Sequence, residues 1–150
     1  MGLFNVLDIS AAGLNVERSR LEVAVTNLAN AETTTPANGV PYQPLEAVVR
    51  SGAPARPIDG RLSEGGTFES SLPLPFVEQL APMHTTPRRV HDPGHPDADA
   101  QGFVTYPGVD PVTTMLDLLS ISRSYEANVK AFDITRTLLE RTIDLGGTQR

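Results

Sequence analysis

Residues 112–145 read VTTMLDLLSISRSYEANVKAFDITRTLLERTIDL, and this stretch contains neither proline nor glycine. Proline removes a backbone N–H donor and clashes with the preceding helical turn, while glycine weakens a helix through its conformational entropy. A run of this length without either residue predicts one long helix. Asp110 and Pro111 precede the run and suit the N-cap and the first helical position, and Gly146 with Gly147 follows it as a stop signal.

The helix-breaking residues are distributed unevenly along the rest of the chain. All 13 prolines lie from Pro36 to Pro111, and residues 14–38 also lack glycine. The N-terminal end is therefore free to form a second long helix. The sequence predicts three segments: an N-terminal helix within 1–35, a proline- and glycine-rich middle at 36–109, and a C-terminal helix within 110–150.

Both end segments carry mostly apolar residues at alternating steps of three and four, which is the heptad pattern of a coiled coil; Arg18, Ser122 and Arg136 are the polar members. We name these sets the N-terminal and C-terminal heptad stripes. The N-terminal heptad stripe contains Phe4, Leu7, Ala11, Leu14, Arg18, Leu21, Val25 and Leu28, and the C-terminal heptad stripe contains Met115, Leu118, Ser122, Tyr125, Val129, Phe132, Arg136, Leu139 and Ile143.

The middle segment predicts turns, loops and short strands. A stretch such as SGAPARPIDGRLSEGG at 51–66 is dense in turn residues. The apolar pieces at 47–49, 72–77 and 103–104 are bounded by proline or glycine and predict short strands. The expected fold class is mainly α: two long terminal helices that pair as a coiled coil, with a small irregular or β middle.

Composition excludes several classes of function. The chain has 150 residues, of which 39% are hydrophobic and 5% aromatic, too few for a large dense core. It has no cysteine, which excludes disulfides and thiolate chemistry. A net charge of −6 without a basic run argues against nucleic acid. No apolar run is long enough to insert into a membrane, and we expect no cleaved signal peptide because the N-terminus lacks a basic region.

One polar cluster invites a chemical interpretation, and two readings of it are open. It is either a rigid turn held by Asx-type hydrogen bonds or a metal site. His91 and His95 would lie on one face only in a helix. Pro93 and Pro96 forbid a helix here, which favours the turn. We expect no catalytic residue, no cofactor and no metal. The cluster contains His84, His91, His95, Asp92, Asp97 and Asp99.

Three stretches of the chain resemble bacterial flagellar axial proteins. The first is LDISAAGLNVERSRLEVAVTNLANAETT at 7–34, and the second is VDPVTTMLDLLSISRSYEANVKAFDITRTLL at 109–139, with its Tyr-Glu-Ala-Asn element. The third, PGHPDADAQGFVTYPGVDPV at 93–112, is similar to the stretch that marks proximal rod proteins within this group. Gly108 stands in it where these proteins usually have Asn.

The resemblance implies a structural subunit of the flagellar basal-body rod, the shaft that crosses the periplasm between motor and hook. It implies terminal helices in an inner coiled-coil layer, packed against helices of neighbouring subunits. The implied partners are other copies of the chain, other flagellar rod proteins and the flagellar type III export apparatus, which exports such chains without a cleaved signal peptide.

A heptad stripe has to be buried, because isolated helices are marginal in water. The N- and C-terminal stripes either cover each other within one chain or pack against neighbouring copies. Asn27 and Asn30 either cap the first helix or form hydrogen bonds across subunits. The residues expected at an assembly interface are Leu7, Leu14, Leu21, Val25, Leu28, Asn27, Asn30, Met115, Leu118, Tyr125, Asn128, Val129, Phe132, Leu139 and Ile143.

Three alternatives have different consequences. Another flagellar axial protein, or a type III needle-like subunit, would share the helices but not the 93–112 stretch. A soluble enzyme would use the His/Asp cluster. A monomeric helical-hairpin binding module would hold its helices together at any concentration.

Overall fold

A computed structural model of the chain describes residues 3–34, 42–52 and 73–147. Its two helices are α1, Leu3–Ala29, and α2, Pro111–Gly147. They have 27 and 37 residues. Apart from Pro111 at the first position of α2, neither contains proline, and their glycines are Gly13 and those of the last turn of α2. The predicted mainly α class with a small β middle is confirmed, whereas coiled-coil pairing of the helices stays a prediction.

The start of α2 is fixed by Asp110. Its Oδ2 accepts hydrogen bonds from the backbone N–H and the hydroxyl of Thr113, at 3.2 and 2.5 Å, and its Oδ1 accepts one from the N–H of Val112 at 3.3 Å. These bonds use N–H groups that have no partner inside the helix. The hydroxyl of Thr113, followed by the two backbone N–H groups, lowers the pKa of Asp110.

The end of α1 is capped by Asn30. Its Nδ2 donates to the carbonyl of Thr26 at 2.8 Å, and its Oδ1 accepts from the hydroxyl of Thr33 at 3.3 Å. The backbone then turns, with the N–H of Thr33 bonded to the carbonyl of Asn30 at 3.0 Å. The capping interpretation of Asn30 is thus confirmed.

Strands β1, Leu45–Gly52, and β2, Leu74–Pro82, form a two-stranded sheet. They contain the predicted pieces at 47–49 and 74–77, and Leu72 lies outside the described residues. Arg50 and Glu78 form an ion pair between the strands, 2.5 Å from Nε to Oε2. A sheet of two strands has only edges, which is why it tolerates Pro75.

Strands β3, Arg88–His91, and β4, Phe103–Tyr106, form a separate antiparallel hairpin in which Arg88 pairs with Tyr106 and His91 with Phe103. The guanidinium of Arg88 lies 5.1 Å from the ring centre of Tyr106, and that of Arg89 lies 4.9 Å from Phe103. Strand β3 was not predicted, because RRVH lacks the apolar alternation of a strand. Its side chains instead rest on the aromatic rings of β4.

The chain has little apolar core. Among the described residues, the buried hydrophobic ones are Val16, Ala31 and Val104. Contacts group the chain into two compact units: Met1–Arg18 with Val49–Glu78 and Ser122–Arg150, and Ser19–Val48 with Gln79–Ile121. Across the described part of the chain, neither helix has the length and hydropathy that crossing a membrane requires.

The Asp110 cap predicts a pH-dependent contribution to stability. Its pKa is lowered in the folded chain, so the contribution is present above the unfolded pKa of about 4 and is lost as pH falls through the folded value. We expect Asp110→Ala to lower the melting temperature at pH 7, measured by circular dichroism at 222 nm. The difference from the unsubstituted chain should shrink as the pH is lowered below about 4.

The control for this prediction is Asp133→Ala, which removes an exposed carboxylate from the interior of the same helix. It should leave the melting temperature nearly unchanged at both pH values. An equal loss in the two variants would mean that the general charge of the chain matters and the cap does not.

Candidate assembly interface

The N-terminal heptad stripe is only partly covered within the chain. Leu7, Leu14 and Leu28 are half-buried. Leu21 and Val25 are exposed, with 37% and 47% of their surface accessible. The stripe predicted from the sequence therefore remains an apolar surface in a single copy.

Helix α1 buries Ser10 beside the N-terminal heptad stripe, at 8% exposure, and it also buries residues on a second face. Val16 and Asn27 are buried at 5% and 6% exposure, and they lie three helical turns apart on one side of the helix. Val16 follows Leu14 by two positions, which places it about 160° around the helix from that leucine. Ala24 and Val23, on the same side as Asn27, are half-buried. Small and β-branched residues cover this face, and Leu7 and Leu14 of the heptad lie on the opposite side of the helix.

The C-terminal heptad stripe is also divided. Leu118, Val129, Phe132 and Leu139 are half-buried, as is Asn128. The remaining large members are exposed: Met115 at 53%, Tyr125 at 41% and Ile143 at 69%.

A second set of exposed apolar residues on α2 was missed by the heptad analysis. Val112, Leu116 and Leu119 are accessible to 67%, 62% and 58%, and Ile134 and Leu138 to 62% and 48%. The signal was present in the sequence, since Val112, Leu116 and Leu119 are spaced by four and three. The usual pattern for a two-helix pair is one apolar stripe per helix, so the heptad pattern alone does not predict this second set.

Gly13 lets the two helices approach closely within the first compact unit. A methyl group added at Gly13 would lie 3.1 Å from Nδ2 of Asn128 and 3.5 Å from its Cγ. The first of these distances is tighter than an ordinary van der Waals contact, and the second is an ordinary one. The Asn128 side chain therefore packs on the backbone of α1, and the two helices meet here within one chain.

Asn27 links the end of α1 to the start of β1. Its Nδ2 donates to the carbonyl of Leu45 at 2.7 Å, and its Oδ1 accepts from the N–H of Leu45 at 3.0 Å. The same oxygen accepts from the hydroxyl of Tyr42 at 2.8 Å. The amide thus pairs with both backbone groups of Leu45, as a neighbouring strand would. Burial raises the pKa of Tyr42 above its ordinary value.

Neither sequence-based interpretation of Asn27 anticipated this link. Capping and inter-subunit bonding both use local or external partners, whereas Leu45 is 18 residues away along the chain. The residue type was the only signal available, because a buried amide needs a partner for both its ends.

Asp92, His95, Asp97 and Asp99 of the His/Asp cluster lie in the turn that joins β3 to β4, whereas His91 ends β3 and His84 precedes that strand. Oδ1 of Asp99 accepts from the N–H groups of Gln101 and Phe103, at 3.0 and 2.8 Å, which makes an Asx turn. The N–H of Phe103, then that of Gln101 together with the Arg89 guanidinium, lowers the pKa of Asp99. Oδ1 of Asp92 accepts in the same way from Gly94, at 3.2 Å. The polar-turn interpretation is confirmed by these bonds.

The turn is also tied to the residues after α1. The hydroxyl of Thr34 donates to Oδ2 of Asp97 at 2.5 Å, within the second compact unit. Nδ1 of His95 accepts from the N–H of Asp97 at 3.1 Å. Within residues 3–34, 42–52 and 73–147, no three His, Asp or Glu side chains converge in a way that could hold a metal ion.

A cleft of about 530 Å³ lies within the second compact unit. It runs between α1 and α2, with Val23 and Ala24 on one wall and Ser120 and Ile121 on the other. Gly108 also lines it. A methyl group at position 108 would collide with the carbonyl of Thr86, so the backbone can pass here only because the residue is glycine.

Comparison with known proteins identifies the class. Residues 100–145, which contain β4 and most of α2, match the family model for the flagellar basal body rod FlgEFG protein C-terminal region. The long C-terminal helix is thus that of a flagellar rod protein.

Full-length relatives narrow the class further. The flagellar basal-body rod protein FlgC of Salmonella typhimurium is 35% identical over 97% of this chain and 99% of that protein. The FlgC proteins of Escherichia coli O6:H1 and Bacillus subtilis are each 34% identical, with the same two shares covered. The chain belongs to the FlgC family of flagellar basal-body rod proteins, and the resemblance found in the sequence is confirmed.

The Asn27 link predicts a loss of stability in Asn27→Asp. A carboxylate can still accept from Leu45 and Tyr42 but cannot donate to the carbonyl of Leu45, and it would be a buried charge. We expect the free energy of unfolding to fall by about 1–3 kcal/mol, measured as a lower urea midpoint.

The matched control is Gln43→Glu, which makes the same amide-to-carboxylate change at an exposed residue. It should change the free energy of unfolding by less than about 0.5 kcal/mol. Equal midpoints for the two variants would contradict the structural importance of the link.

Proposed function

We propose that the chain is a structural subunit of the flagellar basal-body rod that assembles through its two heptad stripes. The observation that carries this proposal is the incomplete burial of both stripes in one copy. Leu21 and Val25 on α1, and Met115, Tyr125 and Ile143 on α2, leave much of their apolar surface in water. Membership of the FlgC family supports the same function.

The energetics favour covering these stripes by neighbouring subunits. Complete burial of one side chain of this size stabilises a protein by about 1.5–3 kcal/mol. Several such side chains on each helix, partly exposed, give an interface of useful strength before any polar contact is counted. The half-buried members of the stripes would complete the interface at its edge. They are Leu7, Leu14 and Leu28 on α1 and Leu118, Val129, Phe132 and Leu139 on α2.

Polar residues of the interface have different roles in this proposal. Tyr125 is exposed, and its hydroxyl can reach a neighbouring subunit. Asn27 and Asn30 contribute indirectly, because their amides hold Leu45 and the end of α1 within the chain. Asn128 sets the spacing of the helices at Gly13.

The same proposal includes the inner coiled-coil layer and the place of the chain in the cell. The terminal helices would pack with those of other rod proteins, and the rod would span the periplasm. The chain would reach it through the flagellar type III export apparatus without loss of a signal peptide. Its function would be mechanical and not enzymatic, a conclusion supported by the family and by the Asx turns that occupy the His/Asp cluster.

Val25→Asp tests the stripe without disturbing the buried face. A carboxylate at this exposed position leaves the free chain folded but places a charge in the interface, which is costly once water is excluded. In a strain that lacks the native chain, we expect this variant to be missing from purified basal bodies and to give no swimming zone in soft agar.

Thr26→Asp serves as the matched control, since Thr26 is the next residue, is also exposed and lies outside the stripe. It should restore swimming and enter basal bodies. Circular dichroism of both purified variants checks that each remains helical. Normal swimming with Val25→Asp would overturn the proposed use of the N-terminal heptad stripe.

A further inference from the structure

The first turns of α2 present an apolar surface to solvent that the heptad stripes do not explain. Val112, Met115, Leu116 and Leu119 are accessible to 67%, 53%, 62% and 58%. They are spaced by three, one and three, so they form one face over two helical turns. We name these four residues the outer ridge. Contiguous exposed apolar side chains of this kind mark interaction surfaces.

The cleft of the second compact unit is the concave counterpart of the outer ridge. Its apolar lining includes Val23, Ala24, Met83 and Ile121, and its volume is about 530 Å³. We name it the helix cleft. A space of this volume has room for several aliphatic side chains.

The outer ridge and the helix cleft use different faces of the same two turns of α2. Asp117 and Ser120 line the helix cleft, and each follows an outer-ridge residue, Leu116 or Leu119, by one position. One position is a rotation of 100° around the helix. A copy that receives a ridge in its cleft therefore keeps its own ridge free, and such a contact repeats without closing.

The charges at the two surfaces are complementary. The helix cleft is lined by Glu46 and Asp117, whose carboxylates outnumber the single cation there, Arg20, even when Asp110 is set aside as the helix cap. Arg123 follows Leu119 by four positions and is exposed, so it continues the face of the ridge one turn further on. A ridge inserted into a cleft would bring a guanidinium towards carboxylates.

We propose that the outer ridge of one copy packs into the helix cleft of a second copy of the same chain, in a head-to-tail contact. This inference rests on the proposed function as a rod subunit and adds the partner and the direction of one of its contacts. The heptad stripes take no part in this contact except for Met115, which the two surfaces share.

A crosslinking experiment in assembled basal bodies tests the contact. The chain has no cysteine, so a thiol introduced at one position is the only one that the chain carries. One form carries Ala24→Cys in the cleft and the other carries Leu116→Cys on the ridge, and both are produced in one strain. Treatment of purified basal bodies with a short bismaleimide should give a crosslinked dimer of this chain. Basal bodies that contain only one of the two forms should give none.

The outcomes separate the inference from the function on which it rests. If the unsubstituted chain is absent from basal bodies, the proposed function fails. If both cysteine forms are present in basal bodies but no dimer appears, the contact is wrong and rod membership stands. A dimer with Leu116→Cys alone would show a ridge-to-ridge contact, and a crosslink to a different protein would show another occupant of the cleft; either result overturns the proposal. Val112→Cys replaces Leu116→Cys should the latter fail to assemble.

Charge exchange gives a second, independent readout. Arg123→Glu added to the ridge form, or Asp117→Lys added to the cleft form, should each lower the dimer yield several-fold, because like charges then meet. The two changes together should restore the yield, since the pair is re-formed with its signs exchanged. Unaltered yield in both single variants would remove the charged contact from the proposal.

Discussion

Long amphipathic helices without enough chain to cover them are the constraint on which this structure depends. Helices of 27 and 37 residues occupy 64 of the 150 residues, from 27 + 37, and the described remainder supplies two small sheets. Helices of this kind gain most of their stability from packing of an apolar face. One copy leaves Leu21 and Val25 of α1 exposed, so the proposed contacts with neighbouring subunits would add to the stability of this helix. The chain belongs to the FlgC family of flagellar basal-body rod proteins, and in the proposed function these neighbours are other subunits of the rod.

Side-chain hydrogen bonds hold parts of this chain together where an ordinary domain would use a dense apolar core. Asn27 holds Leu45, Thr34 holds Asp97, and Asp110 starts α2. The bonds of the buried Asn27 amide satisfy groups that would be costly to leave unpaired away from water. Such links fix geometry with very few residues. They also explain how a chain with 5% aromatic residues and Val104 as its one fully buried side chain among the described residues can hold defined strands.

The helices were predictable from the sequence because their signals are local. Proline and glycine positions bounded α1 and α2, and Asp110 with Pro111 marked the start of the second helix. The pairing of Asn27 with Leu45 was not predictable, since it depends on where a distant strand passes. Strand β3 was hidden because Arg88 and Arg89 pack on rings that follow them by more than a dozen residues. The heptad pattern located apolar residues correctly but could not say which of them the chain buries itself, because periodicity carries no information about the neighbour.

The β3–β4 hairpin has a kinetic consequence. Its ladder joins residues 88–91 to 103–106, and the Asx bonds of Asp99 reach no further than Phe103. Contacts between residues so near in sequence form quickly, and hairpins close in about 1–10 μs. A chain that starts extended would therefore acquire this small ordered element almost at once. The contact between Gly13 and Asn128, which lie far apart in sequence, needs a much larger loop to close and would form later.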